Sequence, residues 1–200
     1  MKLPFSILPL LIIISVLAAC KEDVKSEAEL EVAEEVIAEE PKQNTEKKEA
    51  ISQANSVMAR VMSTKECMSF ARYIVSAEVS DQLMKEEGPY TLFAPSDDAF
   101  NSMDEESVKK LPMTENKPLL VSMVKSHIVE GTYDSVTLIQ ALKKGAVSLI
   151  TISGEQLTVS KKDNDILVTD SKGNIATVGK SDIQANNGVV HVVNSVLGMD

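Results

Sequence analysis

The chain contains few of the residues that usually build reactive or ligand-binding sites. Its 200 residues include two cysteines, two histidines, no tryptophan and only 4% aromatic side chains. Two cysteines, Cys20 and Cys67, cannot form the multi-disulfide framework of small secreted domains. A sugar site lined by stacking rings is also disfavoured, because there are few rings to build it.

Positive charge is scarce as well. The formal net charge is −10, from 30 acidic and 20 basic residues. The lysines are scattered along the chain instead of being interleaved with aromatic side chains. A nucleic-acid interface needs a concentrated basic surface, so we expect no nucleic-acid partner.

The two histidines, His127 and His191, are too far apart in the sequence to be paired metal ligands on one helix. His191 shares an apolar strand face with Val189 and Val193. The sequence also has no nucleophile elbow, phosphate loop or zinc motif. We therefore interpret both histidines as hydrogen-bonded core residues and expect no metal, no cofactor and no catalytic residue.

Cys67 lies in a helical pattern and is interpreted as a small core hydrophobe. The alternative is a reactive thiol, which needs basic neighbours to lower its pKa, and only Lys65 is close in sequence. An enzyme that uses Cys67 or the histidines is therefore the least supported of the functional classes considered.

Residues 1–19 have the pattern of a secretion signal. Lys2 supplies positive charge, Leu10–Leu17 is an apolar run too short to span a bilayer, and small residues, Ala18 and Ala19, precede Cys20. This end of the signal resembles a bacterial lipobox, in which the cysteine is acylated and becomes the new N-terminus. We predict a lipid anchor on Cys20. The alternative is an ordinary signal peptide that leaves a free thiol.

Residues 20–52 are predicted to be the lipidated cysteine and an acidic, disordered tether. The stretch 21–50 has eleven acidic residues against five lysines and no aromatic residue, so it buries little and repels itself. Its first residues, Lys21, Glu22 and Asp23, resemble the surface-export signal of lipoproteins in Bacteroidetes. The alternative is that these three residues simply begin an acidic linker and that the domain faces the periplasm.

Residues 53–200 are enough for one domain. Apolar residues at helical spacing predict helices in the first half, with a capping box at Ser63 and Glu66. Short apolar runs between glycine and asparagine turns predict strands at residues 147–152, 157–159, 166–168, 175–178 and 189–197. Helices followed by strands favour an α+β fold over alternating βαβ units.

The stretch YTLFAPSDDAF, residues 90–100, places two adjacent carboxylates between an apolar strand and Phe100. Paired acids suggest catalysis or metal binding, but they also suit the first turn of a helix. If Ser96 is the N-cap, Asp97 and Asp98 occupy the first two helical positions, where the helix dipole favours negative charge. Adjacent helical side chains diverge and cannot converge on one atom as a catalytic pair must. We therefore predict a structural cap.

Three segments resemble the fasciclin domain family. YTLFAPSDDAF is similar to the first signature block, SHIVEGTY (residues 126–133) to the central histidine segment, and NNGVVHVVNSVLGM (residues 186–199) to the second block. Ser126 departs from the family pattern, because a tyrosine is usual there. The resemblance implies one domain with a wedge of strands in two sheets and helices packed over it. It also implies extracellular adhesion or interaction and not catalysis.

Asp182 and Ile183 stand just before the second block. In animal fasciclin domains an Asp-Ile pair at this place is implicated in integrin recognition, so the resemblance makes both residues candidates for partner binding. The alternative is that Ile183 packs while Asp182 caps a turn. The function expected is a non-enzymatic adhesion module on the outer membrane, with a cell-surface or matrix protein as partner. A periplasm-facing lipoprotein that binds a small ligand or an assembly partner is the alternative.

Changing Cys20→Ser removes the thiol that would carry the lipid, so the protein should move from the membrane to the soluble fraction while its domain stays folded. Fractionation after a high-salt wash, with circular dichroism of the released protein, checks this. Cys67→Ser is the matched control and should remain with the membrane. A Cys20→Ser protein that stays membrane-bound would contradict the lipid anchor.

Overall fold

The structure is a computed structural model and describes residues 44–199. The predicted signal sequence, Cys20, Lys21, Glu22, Asp23 and most of the predicted tether lie outside the described residues. The described part begins in a helix over residues 44–54, so the predicted tether boundary at residue 52 falls inside a helix. Asn186 donates hydrogen bonds to the carbonyl of Ser52 in this helix (3.0 Å) and to that of Asn55 just after it (3.0 Å). Composition alone did not reveal these contacts.

Helices dominate the first half of the described residues, and most of the strands lie in the second half. The helices are α1 (residues 44–54), α2 (Val57–Ser63), α3 (Met68–Ser76), α4 (Ser80–Lys85), α5 (Asp97–Asn101), α6 (Glu105–Lys110), α7 (Lys117–Ser126) and α8 (Ser135–Leu142). The strands are β1 (Tyr90–Pro95), β2 (Ile128–Glu130), β3 (Val147–Ile150), β4 (Gln156–Lys162), β5 (Asp165–Thr169), β6 (Ile175–Thr177), β7 (Ile183–Ala185) and β8 (Gly188–Val193). Within residues 44–199, no helix has both the length and the hydrophobicity needed to span a bilayer.

The strands form two four-stranded sheets. Sheet A has the order β2-β1-β8-β7, and sheet B has the order β3-β4-β5-β6. In sheet A, β1 and β8 run parallel, with Leu92 opposite Val190, and the other pairs are antiparallel. Single bridges from Val129 to Thr151 and from Val178 to Val193 join the sheets at two places. The predicted α+β fold with two sheets and helices packed on them is confirmed.

The two central strands of sheet A are buried on both faces. Every residue of β1 and of β8 is buried, which explains why both strands are almost uninterrupted apolar runs. Leu92 belongs to the core cluster that the helices cover, whereas Phe93 belongs to a second cluster that also contains Val159 and Val168 of sheet B. Because successive strand residues face opposite sides, one strand supplies both cores.

The β1–β8 pairing needs a glycine at its start. Gly188 has φ +152°, and a Cβ atom there would lie 1.9 Å from the carbonyl oxygen of Tyr90. The side chain of the preceding Asn187 accepts a hydrogen bond from Val57 N (2.8 Å) and donates to the Leu83 carbonyl (3.0 Å). The turn at residues 186–188 therefore links the central strands to α2 and α4 through hydrogen bonds.

The stretch from Ser96 to Phe100 caps and anchors a short helix. The Ser96 hydroxyl accepts from Ala99 N (3.1 Å), and Phe100 is buried with its ring centroid 5.0 Å from that of Tyr73. Asp97 has a role that its position in the helix did not predict. Its carboxylate accepts from Ser69 N (2.7 Å) at the start of α3, whose own N-cap residue makes no side-chain cap. Asp98 is exposed.

The predicted capping box at Ser63 and Glu66 is wrong. Ser63 is the last residue of α2, and its hydroxyl donates to the Arg60 carbonyl (3.0 Å) instead of capping a following helix. The N-cap of α2 is Ser56, which accepts from Ala59 N (3.2 Å). The spacing of Ser63 and Glu66 fits a capping box, but a helix already runs through residues 57–63 and ends where the box would begin.

Replacing Asp97 by Ala should destabilise the domain by about 1–2 kcal/mol, because α3 loses the acceptor at its first turn. Asp98→Ala is the matched control and should cost about 0.5 kcal/mol or less, since its exposed carboxylate acts only on the helix dipole. Urea unfolding followed by circular dichroism measures both values. Equal costs would show that the Asp97–Ser69 hydrogen bond does not stabilise the fold.

Candidate functional site

Asp182 ends the loop before β7, at the point where this loop meets the start of α8, and Ile183 is the first residue of β7. The carboxylate of Asp182 accepts from Ser135 N (2.7 Å) and from the Ser135 hydroxyl. The N-cap of α8, Asp134, accepts from Thr137 N (2.7 Å). Two carboxylates thus occupy the N-terminus of one helix, where its dipole favours negative charge. Asp182 caps a helix that is distant in sequence, and the proposed role in partner binding is a separate hypothesis.

The backbone of Asp182 has φ +60°, a left-handed conformation that is uncommon for a residue with a side chain. Its N–H donates to Nδ1 of His191 over 3.4 Å. The turn is therefore held at two points, by the imidazole on its backbone and by Ser135 on its side chain.

His191 is a buried hydrogen-bonding residue. Its Nε2 donates to the Tyr133 carbonyl (2.8 Å), while Nδ1 accepts from Asp182. Its ring stacks on Phe93, with centroids 5.6 Å apart. Burial is the main reason why the pKa of His191 is lowered, although the Tyr133 carbonyl and the carboxylates of Asp182 and Asp134 oppose the shift.

His127 is engaged in the same way elsewhere in the core. Nδ1 donates to the Met123 carbonyl (2.8 Å), and Nε2 accepts from Leu197 N (3.0 Å). Burial lowers the pKa of His127 to about 4, so the ring is neutral near pH 7. Phe70 supplies its aromatic contact, with ring centroids 5.3 Å apart.

Ser126, which stands at the usual tyrosine position, does not contact His127 through an aromatic ring. Its buried hydroxyl donates to the Ser122 carbonyl (2.9 Å) and lies 3.0 Å from the Glu155 carboxylate. The departure from the family pattern is therefore accommodated by a polar contact, while Phe70 packs on the histidine.

Cys67 is fully buried, and its sulfur lies 3.9 Å from the Ala94 carbonyl oxygen. Burial, reinforced by the nearby charges of Asp97 and Glu66, raises the pKa of the thiol to about 12. The thiol is therefore protonated near pH 7 and is a poor nucleophile. Among residues 44–199, no three His, Cys, Asp or Glu side chains are grouped as metal ligands.

Ile183 lines a shallow depression that the sequence did not predict. The depression has a volume of about 450 Å³ and is lined by Arg60, Ser63, Thr64, Lys65, Glu66, Lys180, Ile183 and Gln184. Three cationic side chains thus surround one carboxylate, on a chain of net charge −10. These residues come from two distant parts of the sequence, residues 60–66 and 180–184, and no local pattern links them.

Arg60 is held in place within this basic depression. Its Nε donates to the Gln184 carbonyl (2.8 Å) and its Nη2 to Asn55 Oδ1 (3.1 Å). A guanidinium with a fixed orientation loses less entropy when it binds a carboxylate. The geometry therefore suits the attraction of negatively charged groups beside an apolar side chain, Ile183.

The domain should become less stable as pH falls from 7.5 to 5. His127 binds a proton near pH 6.5 when unfolded but only near pH 4 when folded, so acid favours the unfolded chain by about 2 kcal/mol at pH 5. Urea unfolding across this range measures the slope. His127→Gln, which cannot titrate, should show a smaller slope. An unchanged slope in that variant would contradict the assignment of His127 as a neutral core residue.

The fasciclin domain model matches residues 65–199 of the chain. Protein sll1483 of Synechocystis sp. is 34% identical over 159 residues, which cover 78% of this chain and 82% of that protein. Transforming growth factor-beta-induced protein ig-h3 of Oryctolagus cuniculus is 34% identical over 116 residues, 58% of this chain. Human periostin is 27% identical over 131 residues, 64% of this chain. The chain spans only 15% and 14% of these two mammalian proteins.

The fold is similar to a solved structure described as a FAS1 domain pair from the insect cell adhesion molecule Fasciclin I. The TM-score is 0.64 at 19% sequence identity, over 72% of this chain and 50% of that chain. This likeness concerns the fold, whereas the match of the domain model rests on the sequence over two thirds of the chain. The chain belongs to the fasciclin domain family.

Proposed function

We propose that the protein is an exported, non-enzymatic interaction module that attaches cells to another cell or to extracellular matrix. The observation that carries this proposal is the fasciclin domain over residues 65–199. The insect protein with a similar fold is named as a cell adhesion molecule. The N-terminal sequence supports export, because Leu10–Leu17 and the small residues before Cys20 have the pattern of a lipoprotein signal.

The state of the reactive side chains supports a role without catalysis. Both ring nitrogens of His127 and of His191 already have hydrogen-bond partners in the core. The buried thiol of Cys67 is protonated, with a pKa raised to about 12. A general base or nucleophile must reach its substrate, and these three groups face inward.

In this proposal a lipid on Cys20 anchors the protein to the outer membrane, and Lys21, Glu22 and Asp23 direct it to the cell surface. The acidic residues that follow act as a tether. Many anchored copies on one cell would bind through avidity, so that one weak contact for each domain is sufficient.

The basic depression beside Ile183 is the proposed contact surface. It has three cationic side chains, one of them with a fixed orientation, around a partly exposed apolar residue. Opposite charges accelerate association and fix its orientation. The partner we propose is a protein segment rich in carboxylates that carries an apolar residue to pack against Ile183.

Removal of the gene should reduce attachment or aggregation of the cells, and re-expression should restore it. Soluble domain added in excess should compete. Protease treatment of intact cells should remove the domain from the surface. If the domain resists protease and attachment is normal without the protein, the adhesion proposal fails and the periplasm-facing alternative takes its place.

The double change Lys65→Glu and Lys180→Glu reverses the charge of the depression and should lower the affinity for attachment roughly tenfold. Both lysines are exposed, so the domain should remain folded. Lys161→Glu with Lys162→Glu is the matched control, because it makes the same change of net charge at exposed positions on β4. Competition by each soluble variant in the attachment assay measures the effect. Equal losses would indicate a response to net charge and not a contact at the depression.

A further inference from the structure

The imidazole of His191 joins the loop before α8 to the loop before β7. Its Nε2 donates to the carbonyl of Tyr133, just before α8, and its Nδ1 accepts from the N–H of Asp182, just before β7 (2.8 and 3.4 Å). Stacking on Phe93 holds the plane of the ring. The ring thus has one donor and one acceptor, each facing a defined backbone group, and this arrangement requires the neutral imidazole.

A second proton on this ring would break one of the two contacts. In the imidazolium both nitrogens are donors, so Nδ1–H would face the Asp182 N–H, and two donors would oppose each other. The Nε2 contact with Tyr133 can persist. The backbone of Asp182 must therefore move, and its φ of +60° is a conformation that an aspartate readily leaves.

The charged groups around the ring support this movement. The carboxylates that face His191 are Asp182, from the loop before β7, and Asp134, from the N-cap of α8, and both favour the protonated ring. Phe93, on β1, contributes no charge. If the Asp182 carboxylate turns towards the imidazolium, Ser135 loses the acceptor on its N–H.

We propose that His191 is a proton-sensitive latch that holds the Asp182–Ile183 turn against α8 and releases it when Nδ1 is protonated. Burial, which lowers the pKa of His191 from 6.5, keeps the latch closed near neutral pH. Release moves Ile183 and the nearby Lys180, which both line the basic depression. Acidification should therefore weaken attachment, a consequence that rests on the proposed function, whereas the latch itself does not.

Amide hydrogen exchange of the folded chain, resolved by NMR at pH 7.5 and pH 5.0, tests the latch. After correction for intrinsic exchange rates, protection of the Asp182 and Ser135 amides should fall about tenfold or more at pH 5.0. The Leu197 amide, which donates to His127, reports the global loss of stability expected from His127, and at pH 5.0 it should remain more protected than the Asp182 and Ser135 amides. Equal protection of all three amides at pH 5.0 would indicate global unfolding alone and overturn the proposal.

His191→Gln and His191→Asn remove the titrating group, so protection of Asp182 should no longer depend on pH in either variant. His127→Gln is the matched control and should retain the pH dependence. If neither His191 variant folds, the ¹⁵N shift of His191 Nδ1 in the unmodified protein decides the question. Its titration midpoint must coincide with the loss of protection at Asp182, and a different midpoint overturns the latch.

The attachment assay at pH 7.5 and pH 5.0 separates the latch from its consequence. Weaker attachment at pH 5.0 that is absent in His191→Gln supports control of the contact surface by the latch. If hydrogen exchange behaves as expected but attachment does not change with pH, the latch is supported and its control of attachment is overturned. Failure of attachment at both pH values in cells with intact protein would count against the proposed function alone.

Discussion

The parallel pairing of β1 with β8 is the constraint on which the rest of the domain depends. These are the first and last strands of the described chain, and their contact occupies the centre of sheet A. It requires Gly188, because a side chain there would meet the Tyr90 carbonyl, and it positions Asn187 to bond α2 and α4. Closing a loop of this length costs entropy, which the two cores on either side of the pair must offset.

The central strands of sheet A are buried, so their polar side chains must find hydrogen-bond partners within the protein. Among residues 44–199, no buried polar side-chain atom lacks a hydrogen-bond partner. Thr91 illustrates the pattern, because its hydroxyl donates to the Gly131 carbonyl and accepts from Tyr133 N. His127 and His191 satisfy backbone groups in the same way. The two histidines that could have suggested catalysis are thus explained by the need to satisfy buried backbone groups.

The features that could be predicted are those encoded within a few residues. The cap at Ser96 and the apolar runs of β1 and β8 depend on near neighbours, and the α+β class follows from the order of such patterns. The bonds from Asp97 to Ser69 and from Asp182 to Ser135 join distant segments, so no local spacing encodes them. β2 and β7 have three residues each, too few for a periodic signal. The basic depression was missed because its lining comes from two stretches that are distant in the sequence, residues 60–66 and 180–184.

Arg60 links the stability of the sheet edge to the chemistry of the surface. β7 is the outer strand of sheet A, and an exposed strand edge invites pairing with another chain. The guanidinium of Arg60 donates a hydrogen bond to the carbonyl of Gln184, in the middle of this short strand. This hydrogen bond disfavours the addition of another strand at that carbonyl. The same guanidinium leaves N–H groups and a positive charge beside Ile183, as the proposed contact with carboxylates requires.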